Sequence, residues 1–118
     1  MDFWKEISDL DSPMVEYIRI GRNKKGMLVA GVYDGEVVIG WSLCNKKDFF
    51  DKIEAFNIAE DRAKMNKKRF SKYVTDETFD LLDIIPFTVM NNITHFLERA
   101  VRYYKDQKLS EVMVFLLQ

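Results

Sequence analysis

One cysteine, one histidine and two prolines occur in the 118-residue chain, and each scarcity excludes something. A lone Cys44 allows no internal disulfide and no cysteine-based metal site. With His95 as the single imidazole, a metal would have to rest on carboxylates. The acids Asp76, Glu77, Asp80 and Asp83 lack the tight oxygen-ligand loop and central glycine of a calcium site, so neither metal nor cofactor is expected. Five glycines form no phosphate-cradling motif, because Gly31, Gly35 and Gly40 fall inside a hairpin pattern rather than ahead of a helix. A surplus of one charge sign is also missing. The formal net charge of −1 argues against a general or sequence-specific DNA binder, which needs a clear basic excess, and against a strongly acidic DNA mimic. No apolar run approaches the roughly 20 residues that span a bilayer. The opening "MDFWKEISDLD" has neither the basic start nor the apolar core of a signal peptide. The expectation is a cytoplasmic domain occupying residues 1–118, without membrane contact.

What is present is an ordinary globular composition, 47% hydrophobic and 31% charged, large enough to form a core unaided. Phe3, Trp4, Ile7 and Leu10 are spaced as one face of a short helix, ended by Ser12-Pro13. "MVEYIRI" (Met14 to Ile20) alternates as a strand, with Val15, Tyr17 and Arg19 on one face and Met14, Glu16, Ile18 and Ile20 on the other. "GRNKKG" (Gly21 to Gly26) reads as a polar, basic hairpin loop. "MLVAGVY" and "EVVIGWSL" flank Asp34-Gly35, a pair suited to a two-residue turn. The glycines inside these strands, Gly31 and Gly40, leave gaps for another backbone or a large ring, and Trp41 is the adjacent ring.

The next helix is predicted to be capped by Asn45 and Asp48. Its apolar stripe comprises Phe49, Ile53, Phe56, Ala59 and Ala63, with Asp48–Lys52 and Glu60–Lys64 as acid-before-base pairs. Thr75 is predicted to cap a short helix to Ile85, before Pro86. A further helix spans about Phe87 to Lys105, with Met90, Ile93, Phe96, Leu97, Ala100, Val101, Tyr103 and Tyr104 on its apolar arc. "EVMVFLL" (Glu111 to Leu117) is too short for its period to decide, and its β-branched content tilts it to a strand. The fold expected is α+β: a three-stranded antiparallel meander packed against two longer helices, with an extra strand at the C-terminus.

Chemistry is harder to find. Cys44 and His95 would make a nucleophile and base only if brought together in an electropositive site, and a buried structural cysteine is the plainer reading. No catalytic constellation stands out, so an enzyme is disfavoured. Two polar faces remain. Arg62, Lys64, Lys67, Lys68, Arg69 and Lys72 form a basic run without an intervening acid, a candidate contact for a protein partner. Asn91, His95, Arg99 and Arg102 share one helix face, where guanidinium groups could grip a phosphate or nucleotide. A solvated helix face is the plainer account of both. Tyr103, Tyr104 and Phe115 cluster near the C-terminus, where a homodimer or partner surface would be easy to build.

The stretch "GWSLCNKKDFFDKIEAFNIAEDRA" resembles a pattern in small accessory proteins of phages and mobile elements: a strand ending in Cys-Asn, an Asp-x-Phe-x-Lys helix start, then Ile-Ala-x-x-Arg-Ala. Cys44, Asn45, Asp48, Phe50, Lys52, Ile58, Ala59, Arg62 and Ala63 carry it, and Ala55 departs from it where a glycine is expected. The resemblance implies a non-enzymatic antagonist of bacterial immunity, such as an anti-CRISPR, acting on a host or defence protein. The alternative it leaves open is a sponge for a nucleotide second messenger, as in Thoeris anti-defence proteins. No functional residue carries over from it.

Overall fold

The structure, a computed structural model, describes residues 3–44, 49–73 and 87–117, with side chains given for all of these except 66–73 and 87–89. The elements in chain order are α1 (Phe3–Ile7), β1 (Asp11–Ile20), β2 (Asn23–Tyr33), β3 (Glu36–Leu43), α2 (Lys52–Tyr73), α3 (Phe87–Tyr103), β4 (Lys108–Leu109) and α4 (Glu111–Leu116). Among the described residues the sheet has four strands in the order β1-β2-β3-β4. The first three form the expected antiparallel meander, and β4 adds to β3 in parallel. The α+β class is therefore as the sequence predicts.

The two inner strands are apolar without alternation because helices cover both faces of the sheet, a burial that removes the polar side from a strand. On one face Met27, Val29 and Val38 pack against Phe56, Ala59 and Ala63 of α2, with Leu10 beside them. On the other, Ile18, Leu28, Ala30, Val37 and Ile39 meet Ile93, Phe96, Leu97 and Ala100 of α3 and Val112 and Met113 of α4. The two faces assigned to β1 divide in the same way, Val15 and Tyr17 toward α2, Met14 and Ile18 toward α3.

Asp34-Gly35 forms the two-residue turn, with Tyr33 opposite Glu36 and positive φ at both positions, 50° and 79°. Nothing lies within 4 Å of a Cβ built on Gly35, so a substitution there costs backbone strain alone. Gly35→Val should destabilise the domain by about 1–3 kcal/mol, read by chemical denaturation. A wild-type midpoint would contradict this turn.

Several expectations need correction. The β1–β2 connection is tighter than a Gly21–Gly26 loop: Ile20 already pairs with Asn23, leaving Gly21-Arg22 as the turn. Ser12-Pro13 does not delay the strand, since β1 begins at Asp11 with an irregular register before Met14. The gap at Gly40 takes another backbone, that of α2, which is one of the two occupants expected, while that at Gly31 takes the Leu10 side chain. Trp41 instead packs toward the α3 face. Residues 111–117 are not a strand. Ser110 donates its N–H to the Val37 carbonyl (3.0 Å), closing β4, and its hydroxyl accepts from Met113 N to cap α4. A capped turn that buries Val112 and Met113 overrides the β propensity of the run. Tyr103 lies 61% exposed, whereas Tyr104 is buried and donates its hydroxyl to the Ser12 carbonyl at 2.5 Å. Consecutive helical residues stand about 100° apart, so one ring of the pair takes the core position. Burial pushes the Tyr104 phenol above its ordinary pKa.

Candidate functional site

The end of β3 and the start of α2 bring several exposed apolar side chains together, Leu43, Phe49, Ile53 and Ile58 among them. Beyond Leu43 the pairing continues for one residue, as the Cys44 N–H donates to the Lys25 carbonyl (2.6 Å). The expected cap residues Asn45 and Asp48, with the Asp48–Lys52 pair, lie outside the described residues. Asp51 is the observed cap: its Oδ1 accepts from the N–H groups of Ile53 (2.9 Å) and Glu54 (3.1 Å). A carboxylate there satisfies free helix donors and meets the positive end of the helix dipole. One turn on, the Ser42 hydroxyl donates to the Ala55 carbonyl (2.8 Å) in a buried bond that ties helix to strand.

Starting the helix at Lys52 changes the fate of its first aromatic residue. Phe49 precedes the helix and is 99% exposed, so it does not join the apolar stripe. Ile53 is also exposed, while Phe56, Ala59 and Ala63 hold the stripe as expected. Phe50, the off-stripe residue, turns inward and sets its ring edge-on to Tyr17 (6.0 Å between centroids). A hollow of about 570 Å³ results, with Leu43, Cys44, Phe49, Phe50, Glu54 and Ile58 among its lining residues. Leu43 (42%) and Ile58 (37%) add exposed aliphatic area around the Phe49 ring. Cys44 is half-buried rather than buried.

The sequence-predicted faces are less available. Arg62 donates from Nη1 to the Trp41 carbonyl (3.1 Å). Lys64 pairs with Asp9 at 2.9 Å and sits 3.7 Å from Asp61, and the hydrogen bond to Asp9 raises its pKa although burial opposes this. Glu60, its expected partner, is buried and accepts instead from the Ser8 hydroxyl (2.7 Å) and the Asp9 N–H (2.8 Å). This end of the basic run thus serves to hold the α1–β1 connection against α2. The side chains of Lys67, Lys68, Arg69 and Lys72 lie outside the described residues, as do the helix proposed for Thr75 to Ile85 and the acids Asp76 to Asp83.

Asn91, His95, Arg99 and Arg102 do share an exposed face of α3. Arg99, however, is engaged with Glu16 of β1 at 2.6 Å, which neutralises one of the two guanidinium groups a phosphate would use. Of the C-terminal aromatics, Tyr104 is buried and Phe115 packs on the core, so Tyr103 alone presents an exposed ring. Among the described residues, no cluster of His, Cys, Asp or Glu could hold a metal ion, and no helix is long and apolar enough to cross a membrane.

The hollow at the β3–α2 junction was missed by sequence reading, although a signal existed. Asp51 and Glu54 have the spacing of a capping box, which starts the helix after the Phe49-Phe50 pair and not before it.

Fold and hollow together define, among the described residues, a small α+β domain with a hollow of mixed polar and apolar lining where β3 meets α2. No family model, curated protein or solved structure matches the chain.

Proposed function

We propose that the protein is a non-enzymatic binding protein that acts by occupying the surface of a protein partner, with the β3–α2 hollow as its contact. The full exposure of Phe49 beside a hollow that it lines together with Leu43, Phe50 and Ile58 carries this reading. A phenylalanine left in water forgoes about 1.5–3 kcal/mol of burial, and an aromatic anchor is the side chain that interface centres favour. The resemblance of residues 40–63 to phage accessory proteins supports a bacterial defence protein as the target, inhibited stoichiometrically in the manner of an anti-CRISPR. The nucleotide-sponge alternative would rest on Arg99 and Arg102, and the Arg99–Glu16 pair weighs against it.

Affinity capture from a bacterial lysate, followed by calorimetry with the purified partner, tests the assignment. Phe49→Asp should lose at least about 2 kcal/mol of binding, as for an interface hot spot, with its melting temperature near wild type. Arg99→Glu/Arg102→Glu should bind normally. The opposite pattern, with a nucleotide released from the wild-type protein on denaturation, would replace this reading by the sponge.

A further inference from the structure

The β1–β2 hairpin carries four cations within a few residues: Arg19, Arg22, Lys24 and Lys25. The first three are exposed and Lys25 is half-buried. Among the described residues none has a carboxylate at ion-pair distance, in contrast to Lys64, Arg99 and Lys108, which do. Two of the cations lie against one ring. Lys24 Nζ lies 4.1 Å from the centroid of Tyr17, and the Arg19 guanidinium lies 5.8 Å from it. That ring meets Phe50, which lines the hollow. The link is repeated in the backbone, where Lys25 O accepts from Cys44 N, itself in the hollow's wall. Ile20, 41% exposed beside the turn, adds apolar area among the charges. Basic hairpin and hollow are therefore contiguous.

We propose that this hairpin is the electrostatic half of the binding site, and that the partner presents an acidic polypeptide segment carrying apolar side chains. The inference rests on the assignment of the hollow as a protein contact and names the chemistry of what enters it. Charge complementarity favours acids opposite the hairpin, since four cations with no carboxylate at ion-pair distance among the described residues raise the local anion concentration and steer encounter. A nucleic acid fits less well. Lys24 lies over a face of the Tyr17 ring and takes the place a stacking base would use. A polypeptide can set its acids against the hairpin and its apolar side chains against Phe49 and Leu43.

The test uses a short fluorescein-labelled peptide of alternating glutamate and leucine, its lysine–leucine counterpart, and labelled oligothymidylate, each titrated by anisotropy at low and high salt. The glutamate peptide should bind, weaken with salt and outcompete the other two. Arg19→Glu/Lys24→Glu should slow its association by about tenfold or more. Because those side chains also cover Tyr17, Arg22→Glu at the turn provides a second variant without that contact and should act in the same direction. Phe49→Ala separates the two halves. If it abolishes binding while both charge reversals leave the rate and salt dependence unchanged, the hollow stands and the hairpin proposal falls. If the reversals abolish binding and Phe49→Ala has no effect, the hairpin stands and the hollow assignment falls. Absence of glutamate-peptide binding at low salt, or tighter binding of oligothymidylate, overturns the acidic-polypeptide proposal.

Discussion

Gly40→Ala is expected to destabilise the domain by about 3 kcal/mol, the upper end for a single overpacking change, and to lower its melting temperature by roughly 10 °C. A Cβ on Gly40 would stand 2.1 Å from the Ala59 carbonyl oxygen, 2.5 Å from Ala63 N and 2.9 Å from Ala63 Cα. All three are backbone atoms of α2, so no rotamer change can make room. The helix must move off the sheet. Its buried alanines, Ala55, Ala59 and Ala63, recur every four residues and allow the close approach, while the Ser42–Ala55 bond depends on it. A shift of the helix would stretch that bond and open the Phe56 core together, which is why the cost exceeds that of one extra methyl group. Urea unfolding followed by circular dichroism checks it. A variant within about 0.5 kcal/mol of wild type, the range of an inconsequential surface change, would mean that α2 does not cross β3 at Gly40.

Gly40 also shows how far sequence reasoning reaches. A glycine in a strand indicates that something comes close, and that much was legible; what comes close depends on a crossing angle that no local pattern encodes. The Asp34-Gly35 turn was fully legible because its chemistry is local, two residues whose positive φ angles select them. The apolar runs of β2 and β3 indicated buried strands, but only their tertiary setting shows that both faces are covered. The C-terminal run failed for the same reason: Ser110 caps a helix there, and packing against the α3 side decided between two states that periodicity left equal. At the site, the basic residues stood out in sequence, yet Lys64 and Arg62 serve the fold. Charge patterning shows which side chains are available, and the ion pairs formed with distant residues such as Asp9 decide which remain so. Phe49 was misplaced because the helix was expected to be capped from Asn45 and starts only after Asp51, an error that moves a ring from core to solvent.

Phe56 occupies the position that Phe49 does not, and Phe56→Ala should cost about 3–5 kcal/mol, as for other fully buried aromatic truncations. Its side chain has no solvent exposure and packs among Met27, Val29 and Val38 of the sheet. It also stacks on Trp4, with centroids 4.8 Å apart and planes at 26°; such pairs add about 0.5–1.5 kcal/mol beyond area. Removing the ring leaves a cavity bounded by the sheet, which cannot collapse into it. It also takes away the ring on which Trp4 of α1 stacks, while the bonds from Ser8 and Asp9 to Glu60 remain. Two readouts therefore move together: the unfolding free energy falls, and Trp4 emission, recorded with Trp41→Phe as background, shifts to the red in the folded state. Phe56→Leu keeps most of the volume and should lose less than about 1.5 kcal/mol while still losing the stacked pair. Binding responds in the reverse sense. At temperatures where Phe56→Ala remains folded, its affinity for a partner at the hollow should match wild type, whereas Phe49→Asp keeps the wild-type unfolding free energy and loses the partner. A Phe56→Ala protein as stable as wild type would show that α2 does not bury this face. One that is destabilised and also fails to bind while folded would show that the hollow draws its shape from the core beneath it.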